Sequence, residues 1–273
     1  MTHADAADPV RESQDQVRPE MLERLAATLG APVPDALPLT WHWCLFQDWV
    51  PPSELGPDGH PRRGGFLPAV QDLPRRMWAG GELEELAPLR PGDRVTRRSR
   101  VASVTEKAGG SGRLVFVEVD HQVASPAGPA LRERQMLVYR GAEGAAVREA
   151  PVAPPAPPSV AEAAIIPDPV LLFRYSALTG NGHRIHYDAD YVREEEGYPG
   201  LVVHGPLQAT LLAALAGRAN PGRRVVRLRF RGMRPAFAGA ALALQGWAEP
   251  DRFTLRTLDP SGRVCMAADA WLS

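Results

Sequence analysis

Between Thr179 and Pro206 the chain places three of its seven histidines, His183, His186 and His204, together with Asn181 and Asp188. Imidazole changes charge near neutrality, so a cluster of this kind suits general acid–base chemistry. His186 is the leading candidate for the group that takes or gives the proton, and His183 for a second proton-handling group. Asn181 cannot exchange a proton as a carboxylate does, but its amide can hold a water molecule by hydrogen bonds. The cluster closes on His204-Gly205-Pro206, the pattern of a helix start, since proline lacks an N–H and fits the first helical position. The Gly205 N–H would then point, with the positive end of the helix dipole, at an oxygen that gains negative charge. His204 would line the substrate or orient the loop. Blander uses compete: Asp188 suits the cap of a short helix near Ala189, and Asn181-Gly182 suits a turn. No metal is expected, because His183-x-x-His186 lacks the i, i+4 spacing of a helical zinc site.

These residues need a scaffold. Leu207, Leu211, Leu212 and Leu215 recur at helical spacing and predict a helix over Pro206 to Leu215, with alanines that allow close packing. Strands are predicted near 223–232, 239–248, 252–258 and 263–272, the last pair joined by the Asp259–Gly262 turn. In the first, Val226, Leu228 and Phe230 alternate with Arg227, Arg229 and Arg231, giving one apolar and one cationic face. Residues 177–204 read as a long loop with one short helix, and Val170 to Ser176 as a strand. Upstream, Pro19 to Leu29 has helical spacing with Gly30 as its stop. Strands follow at 93–106, 113–123 and 131–140, the first two joined by the Gly109–Gly112 turn. Residues 31–91 read as irregular structure, with Trp41, Trp43 and Trp78 as core. Five prolines in residues 151–158 mark a stiff linker.

The expected organisation is therefore a disordered terminus (1–17), an N-terminal domain (18–148), a proline-rich linker (149–164) and a C-terminal catalytic domain (165–273). A strand, a helix and an antiparallel meander is the order of a hot-dog fold. The first half has matching strands but no good central helix, so the chain reads as an α+β double hot-dog whose N-terminal copy is degenerate. Loss of that helix would open an acyl tunnel lined by residues 50–80.

Composition narrows the function. A net charge of -1 offers no basic field for nucleic acid. Lys107 is the single lysine, which leaves Schiff-base chemistry without its amine. Cys44 and Cys265 lie far apart without metal spacing and read as buried thiols of a reducing compartment. No apolar run is long enough for a membrane helix, so a cytoplasmic protein is expected.

The stretch Arg174-Tyr-Ser-Ala-Leu-Thr-Gly-Asn-Gly-His-Arg-Ile-His-Tyr-Asp188, followed by His204-Gly-Pro206, resembles the MaoC-like, (R)-specific enoyl-CoA hydratase family. Within that family it looks like the branch that holds type 2 hydroxyacyl-thioester dehydratases and mesaconyl-CoA hydratases. Leu73-Pro-Arg-Arg-Met-Trp-Ala-Gly80 and Glu133-Arg-Gln-Met-Leu-Val-Tyr-Arg140 resemble that branch too, so the resemblance spans most of 37–273. It implies that His186 is the catalytic histidine and that water adds to, or leaves, an acyl-CoA or acyl carrier protein thioester, with no further cofactor. The chain departs from the family pattern at Asn181, where an Asp is usual. Arg229, Arg231 and Arg234 would hold the carrier's phosphates, and a homodimer is expected unless the two halves pair within one chain. A hot-dog thioesterase or a non-catalytic thioester-binding module are the alternatives; the former usually has an acid near the helix start, which 207–210 lacks.

Overall fold

The computed structural model describes residues 10–62, 64–70, 72–109, 112–141, 152–157 and 161–273. Its N-terminal half runs β1 (Val10–Gln16), α1 (Pro19–Leu29), β2 (Arg75–Glu85), β3 (Arg94–Gly109), β4 (Gly112–Ser125) and β5 (Gly128–Arg140). The C-terminal half runs β6 (Ala161–Ile165), α2 (Pro169–Thr179), α3 (Ala189–Glu194), α4 (Gly205–Ala219), β7 (Val225–Gly232), β8 (Leu242–Ala248), β9 (Phe253–Leu258) and β10 (Val264–Leu272). The strands form one sheet in the order β1-β3-β4-β5-β2-β7-β10-β9-β8-β6. Counted outward from the middle, the two halves have the same order, with β2 and β7 paired antiparallel at the seam. This is the double hot-dog, and the edge-to-edge pairing of two hot-dog sheets is made inside one chain. Backbones approach closely there: a Cβ on Gly80 would fall 2.4 Å from the Phe230 carbonyl oxygen.

The sheet wraps α4. Leu207, Ala209, Leu212, Leu215 and Ala216 are buried, and so are Gln208 and Thr210, which an open helix face would leave wet. Gln208 is satisfied by accepting from the Thr257 hydroxyl at 2.7 Å on β9. On β7, Leu228 and Phe230 face this core while Arg229 and Arg231 are exposed on the opposite side.

Four local expectations are corrected. Residues 170–176 are helical, because Asp168 caps the Leu171 N–H, Pro169 opens the helix and Gly180 ends it in a left-handed conformation. Val10–Gln16, expected to be disordered, pairs with β3 as an exposed edge strand; residues 1–9 lie outside the described residues. Ala161–Ile165, inside the stretch expected to be linker, pairs with β8. Much of that linker, 149–151 and 158–160, and the tip of the 109–112 turn also lie outside the described residues. Arg75–Glu85, expected to be irregular, is the strand at the seam.

No central helix fills the N-terminal half among the described residues. Phe66, Leu67, Val70 and Leu73 pack on Val115, Val117 and Val119. They fill part of the trough expected to open as an acyl tunnel. A short 3₁₀ turn, Leu39–Cys44, takes up more of the space and places Trp43 edge-on to Trp78 and Phe230. The three tryptophans expected in the core pack there, and both cysteines are buried free thiols, pushed up to about 12 by burial.

That turn is pinned by a buried ion pair. Glu133 on β5 accepts from His42 Nε2 at 2.9 Å, Trp43 Nε1 at 2.8 Å and Gln135 Nε2 at 3.0 Å. His42 Nδ1 lies 2.7 Å from the Leu39 carbonyl oxygen. Both ring nitrogens thus face acceptors, a carbonyl on one side and a carboxylate on the other. Burial works to raise the Glu133 carboxyl; His42, through charge and a hydrogen bond, together with His121 and Trp43 outweighs it and brings it down to about 2.

Candidate active site

The loop from α2 to α4 places its histidines by backbone bonds. His186 Nδ1 donates to the Val202 carbonyl at 2.7 Å, which leaves Nε2 as the bare, basic nitrogen. Its ring stacks on His204 with centroids 3.6 Å apart and meets His183 edge-on at 5.5 Å. His204 stands at the position just before α4, and its Nε2 shares a 2.8 Å hydrogen bond with the Ser176 hydroxyl. No hydrogen bond engages the Gly205 N–H among the described residues, and a Cβ there would meet only Met266, at 3.8 Å. The expected candidates His183, His186, His204 and Gly205 are thus brought together at the N-terminus of α4.

A second loop, from the N-terminal half, completes the cluster. Asp58 Oδ1 accepts from the His60 backbone N–H at 3.1 Å and Asp58 Oδ2 from His60 Nδ1 at 3.0 Å. The His60 ring lies 4.3 Å from His183, extending the row to His60, His183, His186 and His204. Asn181 makes the matching turn, its Oδ1 accepting from the His183 N–H at 3.0 Å. The two loops are pressed together. A Cβ on Gly59 would fall 2.0 Å from the Gly182 carbonyl oxygen, and Arg184 donates its N–H to the Asp58 carbonyl at 2.9 Å. Gly59 has φ +85°, which glycine adopts without strain.

A model of the hydroxyacyl-thioester dehydratase type 2 family matches residues 40–238, a span that contains both loops. The chain is 43% identical to the mesaconyl-C(4)-CoA hydratase of Chloroflexus aurantiacus, over 89% of this chain and 88% of that protein. It belongs to the type 2 hydroxyacyl-thioester dehydratase family. Solved structures agree on the fold. A MaoC-like dehydratase from Phytophthora capsici superposes with a TM-score of 0.73 at 19% identity, covering 97% of this chain and 96% of that one. A double hot-dog protein of Mycobacterium tuberculosis gives 0.60 at 14%, covering 97% and 96%.

Within this family member the electrostatics of the row are uneven. Burial lowers His186 to about 4 against the hydrogen bond to Val202. Burial, then His60 and His186, lower His183 to about 2 despite Asp58. Burial and the neighbouring rings drive His204 well down. These three imidazoles are neutral at pH 7. Asp58 is the opposite case: burial would raise its carboxyl, but the hydrogen bonds and charge of His60 hold it well below the ordinary range.

The neutral row carries a stability consequence. An unfolded histidine titrates near 6.5, so stability from these folded, depressed histidines is fully present above that pH. It is lost as the pH falls and the unfolded chain takes up protons that the folded one refuses. At pH 5 the loss is about 2 kcal/mol for each fully depressed histidine. Thermal unfolding at pH 7.5 and pH 5.0 should show a lower midpoint at pH 5.0, and the drop should shrink in His183→Asn. Equal midpoints would mean the rings are not held neutral.

Other expected site residues lie elsewhere or act locally. Arg229 and Arg231 are on the face of β7 across the sheet from α4, and Arg229 pairs with Asp269 at 2.8 Å. Arg234 pairs with Asp259 at 3.4 Å. No hydrogen bond or ion pair joins these arginines, expected on phosphates, to the histidines among the described residues. Asn181 spends one lone pair of its oxygen on the loop and keeps the other, with its amide N–H₂, for a water. Asp188 caps α3 through the Tyr191 N–H and pairs with Arg184 at 2.8 Å, the structural role expected of it. Asp58 and His60 escaped the sequence reading. Their signal was the repeated pattern Asp58-Gly-His60 and Asn181-Gly-His183, two Asx-Gly-His turns that the fold sets face to face.

Proposed function

We propose that this chain is a hydro-lyase that interconverts a 2,3-enoyl thioester and a 3-hydroxyacyl thioester, with an acyl-CoA or acyl carrier protein thioester as substrate. The observation that carries this reading is the neutral His186, its Nδ1 fixed on Val202 and its Nε2 bare, beside the N-terminus of α4. Hydration needs a base to take a proton from water as its oxygen bonds to C3. Electrons shift through C2 to the thioester oxygen, and the Gly205 N–H with the helix dipole stabilises the enolate oxygen. A thioesterase is disfavoured because the first turn of α4 holds no acidic residue.

The acyl group we propose is a dicarboxylic one, such as mesaconyl. Arg75 and Arg140 stand opposite one another on β2 and β5; Arg75 pairs with Glu196 at 3.3 Å and Arg140 donates to the Tyr198 hydroxyl at 3.2 Å, while Arg75 Nη1 and Arg140 Nε are buried without a hydrogen-bond partner. Buried guanidinium N–H groups favour an anion. Glu196, which pairs with Arg75, is near enough to Asp58 for the two charges to interact, so a carboxylate at this end of β2 would leave the enoyl carbons within reach of the row. The relative named above is a mesaconyl-C(4)-CoA hydratase. Purified protein should bleach the conjugated enoyl absorbance of mesaconyl-C4-CoA faster than that of crotonyl-CoA or a long-chain enoyl-CoA. Equal or faster turnover of the long-chain ester would replace the dicarboxylic acyl group by a fatty one. Binding without bleaching of any ester would leave a thioester-binding module.

A further inference from the structure

Resting on the hydratase reading, we propose that Asp58 and His60 of the N-terminal half are the second proton-handling pair of the site, the group that supplies the C2 proton while His186 takes one from water. The chemistry demands such a group, and the C-terminal loop lacks it. Asn181 has no exchangeable proton of the needed kind, and its oxygen accepts from the His183 N–H. His183, His186 and His204 have no carboxylate against any ring nitrogen among the bonds they make. His60 alone in the row has one: Asp58 Oδ2 lies 3.0 Å from its Nδ1. A carboxylate on Nδ1 fixes the tautomer, directs Nε2 away from Asp58 and stabilises the imidazolium. The site therefore holds one imidazole whose Nδ1 is tied to a carbonyl, His186, and one whose Nδ1 is tied to a carboxylate, His60, a division of partners that suits a base and an acid.

The protons balance along the row. In hydration, the water oxygen bonds to C3 and one water proton goes to His186 Nε2. The C2=C3 π electrons move to form the enolate. C2 then takes a proton that leaves His60 Nε2, relayed by His183, and the enolate collapses to the thioester. His186 is left protonated and His60 neutral. Passage of one proton back through His183, whose ring lies 5.5 Å from His186 and 4.3 Å from His60, restores both. Dehydration runs the same steps in reverse. The tight seat of Gly59 against Gly182 is what keeps the two loops in register for this exchange.

The test uses the full-length protein and an ester that the wild type hydrates. His60→Asn and Asp58→Asn should each lower kcat by about 10²–10³-fold with KM within about threefold, at an unchanged thermal midpoint. His60→Ala should regain rate with added imidazole, which a loop merely mispositioned would not do. Asp58, His60 and His183 also offer ligating atoms within 4.8 Å of one another, so the wild type is assayed after dialysis against EDTA and after zinc addition. Unchanged rate after EDTA supports the dyad; a rate abolished by EDTA and restored by zinc overturns it in favour of a metal site. His60→Asn within twofold of wild type, on an ester the wild type turns over, overturns the dyad and leaves the hydratase reading standing. A wild type inert toward every ester removes the reaction, and the dyad's role with it.

Discussion

His186→Ala is expected to hydrate its preferred enoyl thioester about 10²–10⁴-fold more slowly than the wild type. The alanine removes the bare Nε2, the atom that takes the proton from water, while leaving the Gly205 N–H and α4 in place. Thioester binding should therefore persist, and the loss should fall on kcat rather than KM. Parallel absorbance traces at saturating substrate read the effect directly. Turnover within tenfold of wild type would take His186 out of the proton transfer and shift the base to another ring of the row.

The largest stability effect is expected far from the histidine row, at Glu133. Glu133→Ala leaves the buried His42 ring without its carboxylate partner and removes the acceptor of the Trp43 indole. Breaking a buried ion pair from one side costs about 3–5 kcal/mol, roughly 10 °C in the midpoint for a chain of this size. His42→Leu with Glu133→Leu, which removes both charges, should recover much of that loss. Urea unfolding of the three proteins measures it. A single variant within about 1 kcal/mol of wild type would mean that the His42–Glu133 pair does not hold the turn. Catalysis should suffer alongside, because the 3₁₀ turn that Glu133 pins carries Trp43 against the seam residues Trp78 and Phe230.

Where a segment's own pattern determines its structure, the sequence was readable. Leu207, Leu212 and Leu215 announce α4, and the alternating Val226–Phe230 run announces β7, because burial on one face imposes those periods. Val170 to Ser176 misled by its apolar content, although Asp168-Pro169 and Gly180 carried the same start and stop signals that identified α1. Polar Val10–Gln16 and small-residue Ala161–Ile165 are edge strands, and an edge with little to bury shows no alternation. Arg75–Glu85 was hidden by Gly80 and Gly81, whose missing side chains let the strands of the seam approach. In the site, His186, His183, His204 and Gly205 were legible because they are close in sequence. Asp58 and His60 lie more than 120 residues upstream of His183, and only the pairing of the two halves brings them in.

That pairing also sets how the protein behaves on dilution. In an assembly of separate hot-dog subunits, a site walled by two of them falls apart once the concentration drops below the dissociation constant. Here β2 and β7 are joined through one polypeptide, and tethered modules meet at effective concentrations on the order of millimolar. The two loops that face each other across Gly59 and Gly182 remain neighbours however few molecules share the solution.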